Sequence, residues 1–146
     1  MASQLADPTY RGDLGNGLIR RLAAPLDGTG LVSTVAGTFG VSQQGDALSI
    51  AINTPGGMAF DAQGRLLFTE GAGHTLKRLD GGRLTVLAGT TAGEAGDGGP
   101  ATVAQLNGPT GVAVIGDATY VLDAINAKIR KIDAAGTITT VVGSGK

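Results

Sequence analysis

The 146-residue sequence contains no cysteine and no tryptophan, one histidine (His74), three phenylalanines and two tyrosines. Without cysteine there is neither a disulfide framework nor a thiolate metal site. A single histidine leaves no pair for a zinc centre, and no Ser-His-acid arrangement can be argued from it and the scattered serines. So few aromatic rings give no stacking platform for bases. Charged residues are 16% of the chain and the net charge is −1, which gives no basic footprint for nucleic acid or an anionic membrane. No run approaches the length of about 18 apolar residues needed to span a bilayer. The opening "MASQLADPTYRGD" lacks a basic region followed by an apolar stretch, so no signal peptide is visible and a soluble chain is expected, in a compartment that the composition leaves open.

What is present is 42% hydrophobic residues, 26 glycines and five prolines. The glycines fall between short apolar runs and read as turns. The length fits one domain, and within it the chain repeats itself. Residues 108–145 overlay 54–91: Pro109 meets Pro55, Gly111 meets Gly57, Asp123 meets Glu70, and Ile132-Asp133 meets Leu79-Asp80. A third copy opens the chain, where "DPTYRGDLGNGLIRRL" (7–22) overlays "DATYVLDAINAKIRKI" (117–132) without a gap. Counting back places a weak first strand at Met1 to Leu5. In the last copy the strands are expected at about 111–115, 119–123, 128–133 and 137–142, with "DAAGT" and, in the middle copy, "DGGRL" as tight hairpin turns. The stretch "PATVAQL" (100–106) has room for a turn or two of helix with Pro100 at its first position. Four-stranded units at this period predict an all-β fold of three antiparallel propeller blades. Their expected spans are about 1–40, 55–90 and 109–145, with long connectors at 41–54 and 91–108.

The pattern Y-V-x-D-x-x-N-x-x-I-R-K-I-D-x-x-G-x-I-T-T-V-x-G, together with "GDGGPATVAQLNGPTGVAV" (96–114), resembles the NHL repeat. The namesake Asn-His-Leu is altered in every copy: Asn16-Gly17-Leu18, Gly73-His74-Thr75 and Asn126-Ala127-Lys128. The resemblance implies a β-propeller, usually of six blades. The roles it implies are mixed: many members are interaction platforms, some bind RNA, and a few related propellers are lyases or hydrolases. Closed propellers use about 4–8 blades, so three would leave two apolar flanks uncovered. The expectation is therefore a homodimer that completes a six-bladed ring.

Returning from the fourth strand of one blade to the first of the next crosses about 15 Å, which about five extended residues can span. The stretch from Gly89 to Pro109 has about twenty. The surplus is expected on the face that also carries the turns after the second strands. In that expectation Gly45-Asp46 and Ile52-Asn53 are counterparts of Gly96-Asp97 and Leu106-Asn107. The ligand-facing candidates on this face are Asp13, Asn16, Glu70, His74, Asp97, Asn107, Asp123 and Asn126. The plainer reading is that the connectors cover blade ends, with Leu106 and Ile52 plugged between blades.

Asp13, Glu70 and Asp123 recur at one position and are the candidate ligands for a cation such as Ca²⁺, which prefers oxygen donors. The alternative is that each carboxylate accepts N–H bonds in its following turn. His74 fits a structural turn role. The pairs Arg20-Arg21, Lys77-Arg78 and Arg130-Lys131 read as solvated positions on an outer strand rather than a phosphate-binding rim. The terminal "GSGK" lacks the leading glycine and following helix of a P-loop, and Gly96-Asp97-Gly98 does not join a strand to a long helix. The expected function is a non-enzymatic binding or assembly module. It would bind itself and a protein, peptide or glycan, with no cofactor and no membrane or nucleic acid partner. A metal-dependent lyase or hydrolase working in the central channel, and a propeller fragment without independent function, are the alternatives.

Overall fold

The computed structural model describes residues 9–22, 32–37 and 44–144. They form three antiparallel sheets, as the repeat predicts. The first sheet has the order β1 (Thr9–Asp13), β2 (Leu18–Leu22), β3 (Val32–Ala36). The second contains β4 (Gly45–Asp46), β5 (Pro55–Phe60), β6 (Leu66–Glu70), β7 (Thr75–Asp80) and β8 (Arg83–Ala88), in the order β4-β8-β7-β6-β5. The third contains β9 (Pro109–Ile115), β10 (Ala118–Asp123), β11 (Lys128–Ile132) and β12 (Ile138–Val142), in the order β12-β11-β10-β9. The strand expected at Met1 to Leu5 lies outside the described residues.

The middle sheet is covered on both sides, and its central strand β6 shows it. All five residues of "LLFTE" are buried, without the alternation of a half-exposed strand. Leu66 and Phe68 pack with Ile19, Ala36 and Ile52 toward the first sheet. Leu67 packs with Leu76, Leu106, Val121 and Ile138 toward the third. A sheet face therefore ends in a junction, and each junction is filled from both sheets and from the connector between them.

Each sheet closes its outer corner by one device. The pairing of the last two strands slips by a residue at Ile19/Arg20, Leu76/Lys77 and Ile129/Arg130. The strand then reaches Gly37, Gly89 or Gly143, at φ of 105°, 91° and 89°. A Cβ at any of the three would strike the carbonyl oxygen of Gly17, His74 or Ala127, which occupy the same turn position and are themselves left-handed at φ of 60°, 55° and 53°. The glycine is needed twice over, for its φ and for the close approach. The hairpin turns also form as expected: Gly81 and Gly82 are left-handed, and Asp133 Oδ1 accepts the N–H groups of Ala135 and Thr137.

The connectors do not simply lie on one face of the sheets. Each runs beside the outer hairpin of the sheet it precedes. Ala47 N–H donates to Gly82 O and Ala101 N–H to Gly136 O, both at 2.8 Å. The carbonyls of the same two alanines accept from Gly37 N–H (2.8 Å) and Gly89 N–H (3.1 Å), at the end of the preceding sheet. One buried alanine thus ties two sheets together. Short 3₁₀ turns, Ala47–Ser49 and Ala101–Val103, follow; the helix expected at 100–106 is this single turn, and Pro100 caps it rather than opening it. These bonds also correct the connector alignment. Ala47 corresponds to Ala101, so Asp46 stands at the place of Pro100 and Gly45 at that of Gly99, not at Gly96-Asp97. The match of Ile52-Asn53 with Leu106-Asn107 holds, and both apolar side chains are buried in the junctions.

Toward the inner edges, β5 and β9 approach until backbones touch. A Cβ on Gly57 would come within 2.8 Å of Gly111 Cα. Only glycine permits that contact.

Candidate functional site

The turns after β1, β6 and β10 and the last residues of the connectors meet on one face. Asp123, at the end of β10, is fully buried. Its carboxylate accepts from Asn107 N–H at 2.6 Å, from Asn126 Nδ2 at 2.8 Å and from Arg130 Nη1 at 3.2 Å. Arg130 is also fully buried; it donates to Gln105 O at 3.2 Å and, through Nε and Nη2, to Asp97 Oδ1 at 3.0 and 2.7 Å. Asn126 Nδ2 reaches Gly93 O at 2.7 Å. Four of the eight candidate residues, Asp97, Asn107, Asp123 and Asn126, are therefore one cluster around Arg130, and it fastens residues 93–107 to the third sheet.

The second sheet repeats the arrangement. Glu70 Oε1 accepts Asn53 N–H at 3.0 Å, and Oε2 accepts Thr75 Oγ1 at 2.5 Å and lies 2.8 Å from Lys77 Nζ. Neither Glu70 nor Lys77 is exposed, and Lys77 Nζ makes this ion pair without a well-aligned hydrogen bond to any of the described residues. The first sheet has the open version. Asp13 accepts Asn16 Nδ2 at 3.1 and 3.2 Å and Arg20 Nε at 2.9 Å, in a half-exposed pair without a connector N–H among the described residues. The Asn16 amide holds the Asp13 carboxyl below its ordinary value; burial opposes it, and Arg20 adds to the lowering. At Asp97, burial pushes the carboxyl up, but Thr140 and the Arg130 guanidinium outweigh it and the net shift is downward.

Three sequence expectations change here. The acids do not gather around a cation: Asp13, Glu70 and Asp123 sit in three different sheets, each engaged by its own basic side chain, and among the described residues no group of three metal-ligating side chains converges. Lys77 and Arg130 are not solvated but fully buried, and Arg20 is half-exposed while Arg21 beside it is exposed. Asp97 stays half-exposed but spends Oδ1 on Arg130 from the connector side. The basic partners were missed, although a signal existed: Asp13 to Arg20, Glu70 to Lys77 and Asp123 to Arg130 are each seven residues apart. In a hairpin whose register pairs Asp123 with Lys128, that spacing makes the two side chains diagonal neighbours on one face.

His74 keeps the turn role. It is left-handed, and its Nδ1 accepts Gly108 N–H at 3.2 Å, linking the second sheet to the connector of the third. Asn107 contributes its backbone rather than its side chain to the cluster. Projecting from this face are Leu14 and Ile125, at the turn tips and well exposed.

Comparisons place this geometry among known folds. The model of the Teneurin NHL domain family matches residues 87–146. No curated protein matches the chain significantly. A protein of unknown function from Bacteroides thetaiotaomicron superposes with a TM-score of 0.73 at 22% identity, over 85% of this chain and 32% of its own. An auxiliary nutrient binding protein from Bacteroides ovatus gives 0.69 at 22% identity, over 93% and 35%. A catalytically inactive virginiamycin B lyase from Staphylococcus aureus, solved with quinupristin, gives 0.59 at 15% identity, over 99% and 44%. The chain spans about a third of the length of the first two. At these identities the likeness is one of fold alone, a propeller-like arrangement of antiparallel sheets. No helix among the described residues is long and apolar enough to cross a membrane.

Proposed function

We propose that this chain is a non-enzymatic binding module that pairs with a second copy into a six-sheet ring and offers its turn face to a protein, peptide or glycan. The observation that carries the reading is the content of the inner edges. Pro55–Phe60 and Pro109–Ile115 hold one polar side chain between them, Thr110, and no acid, base, nucleophile or metal ligand. The acids nearest to them are committed to buried cations and connector amides. A wall of Gly, Ala, Val, Met and Phe supports binding or assembly over metal-assisted lyase or hydrolase chemistry, which needs converging donors.

Pairing is supported by the free face of the third sheet. Leu122, Val141 and Val142 are 45%, 46% and 56% exposed. At the positions of the last two, the second sheet has Leu87 and Ala88, which pack into the junction with the third sheet. The same sheet face that holds a neighbour inside the chain is left open at its end, and a patch of this kind drives association. Sedimentation equilibrium tests it: the expected mass is twice the 14.4 kDa of the chain, and a stable monomer with native β-sheet circular dichroism would overturn it. For the ligand face, the chain is applied to peptide and glycan arrays. Signals lost in Leu14→Ser and Ile125→Ser, with sedimentation unchanged, place the ligand at the turns; signals indifferent to both substitutions remove this face from consideration.

A further inference from the structure

A cleft of about 210 Å³ opens between the second and third sheets, toward the hairpins that join β5 to β6 and β9 to β10. Its walls include Leu67, Leu87 and Val114, and polar groups from Arg78, Arg65, Asp61 and Asp117. Arg78 lies on β7 between Leu67 of β6 and Thr85 of β8. Its Nε is enclosed and has no hydrogen-bond partner, and no carboxylate of the described residues lies within ion-pair distance of its guanidinium. The other three charged groups differ. Arg65 and Asp61 are consumed by each other: Asp61 accepts Arg65 Nε at 2.6 Å, Arg65 N–H at 2.9 Å and Gln63 N–H at 3.0 Å. Asp117 stands exposed on the β9–β10 turn.

Arg78 is half-buried, and its guanidinium lines a partly apolar cleft without a counter-charge, an arrangement that is costly to leave in that state. A carboxylate entering the cleft supplies the missing counter-charge to the open side of the guanidinium, in the fork geometry that arginine favours, and it does so beside low-dielectric walls, where such pairs are stronger than in water. The space equals about seven waters, enough for a carboxylate on a short aliphatic body set against Leu67, Leu87 and Val114. The carboxylates of Asp61 and Asp117 at the walls disfavour a second negative charge. We infer that this cleft is a binding site for a monoanionic carboxylate with a short apolar body, held by Arg78, on a different part of the molecule from the turn face. The carboxylate is either a free short-chain acid or the C-terminus of a peptide.

The test is a titration of the ¹⁵N-labelled chain followed by heteronuclear correlation spectra, with sodium butyrate, N-acetyl-Ala-Val and sodium phosphate, each matched by sodium chloride at equal ionic strength. Saturable shifts are expected at the Arg78 side-chain N–H and at the amides of Gln63, Gly116 and Asp117. Saturation by butyrate assigns a free acid, and saturation by the acetylated dipeptide but not butyrate assigns a chain end. Arg78→Lys should weaken the response about tenfold, since an ammonium lacks the fork, and Arg78→Gln should abolish it while the spectrum stays dispersed. Shifts no larger than those in chloride, or phosphate binding as tightly as butyrate, would overturn the assignment. The wild-type comparison with chloride decides the matter even if a variant fails to fold.

Discussion

The backbone N–H of Asn107 donates to Oδ1 of Asp123 at 2.6 Å, across 16 residues of chain. Asn53 N–H does the same to Glu70 at 3.0 Å in the preceding sheet. In both, the carboxylate also meets a buried cation from the next strand, so one acid joins a connector, a turn and a hairpin. This clamp fixes the last residues of the connector against the sheet it enters, beside the backbone bonds of Ala47 and Ala101 that hold its middle.

Removing the charge of Asp123 should be expensive. In Asp123→Asn the Arg130 guanidinium, fully buried, loses its enclosed counter-charge and keeps only the half-exposed Asp97. Stability by urea denaturation is expected to fall by about 3–5 kcal/mol. The double variant Asp123→Leu, Arg130→Met should lose less than the single one, because no charge is left stranded. A double variant worse than the single would contradict this account.

Two backbone positions should respond with opposite sign. Gly89→Ala combines a left-handed φ with a clash against His74 O, and at least about 2 kcal/mol of stability should be lost. Thr54 is exposed and β-branched at φ 57°, at the position where the other connector has Gly108 at φ 58°. Thr54→Gly should raise stability by about 1 kcal/mol. Thermal unfolding of the two variants beside the parent checks both.

Leu106 is fully buried and touches both the second and the third sheet through one cluster. Leu106→Ala should cost about 2–5 kcal/mol. Leu48, in the other connector and 55% exposed, is the control: Leu48→Ala should change the urea midpoint little.

Asp61 gives a prediction in pH. Its partial burial pushes the carboxyl up, but the N–H groups of Arg65 and Gln63 and the Arg65 guanidinium outweigh this and hold it below the ordinary 3.8. A carboxyl lowered by folding adds stability above its unfolded value and loses it as pH falls through its folded value. The contribution is therefore full at about pH 5–7 and is lost progressively as pH falls below the ordinary 3.8 and through the lowered folded value. Urea midpoints should be flat across the upper range and fall in the lower one, and Asp61→Asn should flatten that fall.

The pairing proposal predicts a clean separation of assembly from folding. Val142 is exposed at the end of β12, opposite Ile129. Val142→Glu should halve the sedimenting mass and leave the circular dichroism unchanged. A variant that stays at the parent's mass would move the contact elsewhere.

Much of the fold was readable because repetition makes a weak local signal strong. Four short apolar runs separated by Gly, Asp and Asn mean little once and much when they recur in register. The strands, the hairpin turns at Asp80-Gly81-Gly82 and Asp133 to Gly136, and the plugs Ile52 and Leu106 follow from that alignment. The charged side chains were less legible. Lys77 and Arg130 each stand between an apolar and a basic neighbour in sequence, and only the cross-strand diagonal shows that each points at an acid instead of at water.

By itself the sequence determined the strand periodicity, the left-handed glycine positions and the apolar residue that ends each connector, because these depend on backbone sterics and on which side chains leave water. The tertiary structure decided the rest. It set the path of the connectors, since Ala47 and Ala101 are tied by bonds to residues far along the chain. It buried the acid–base pairs, since burial belongs to the junction between sheets and not to either strand. It also left Arg78 without a partner in a cleft, because two sheets had to pack before that cleft could exist.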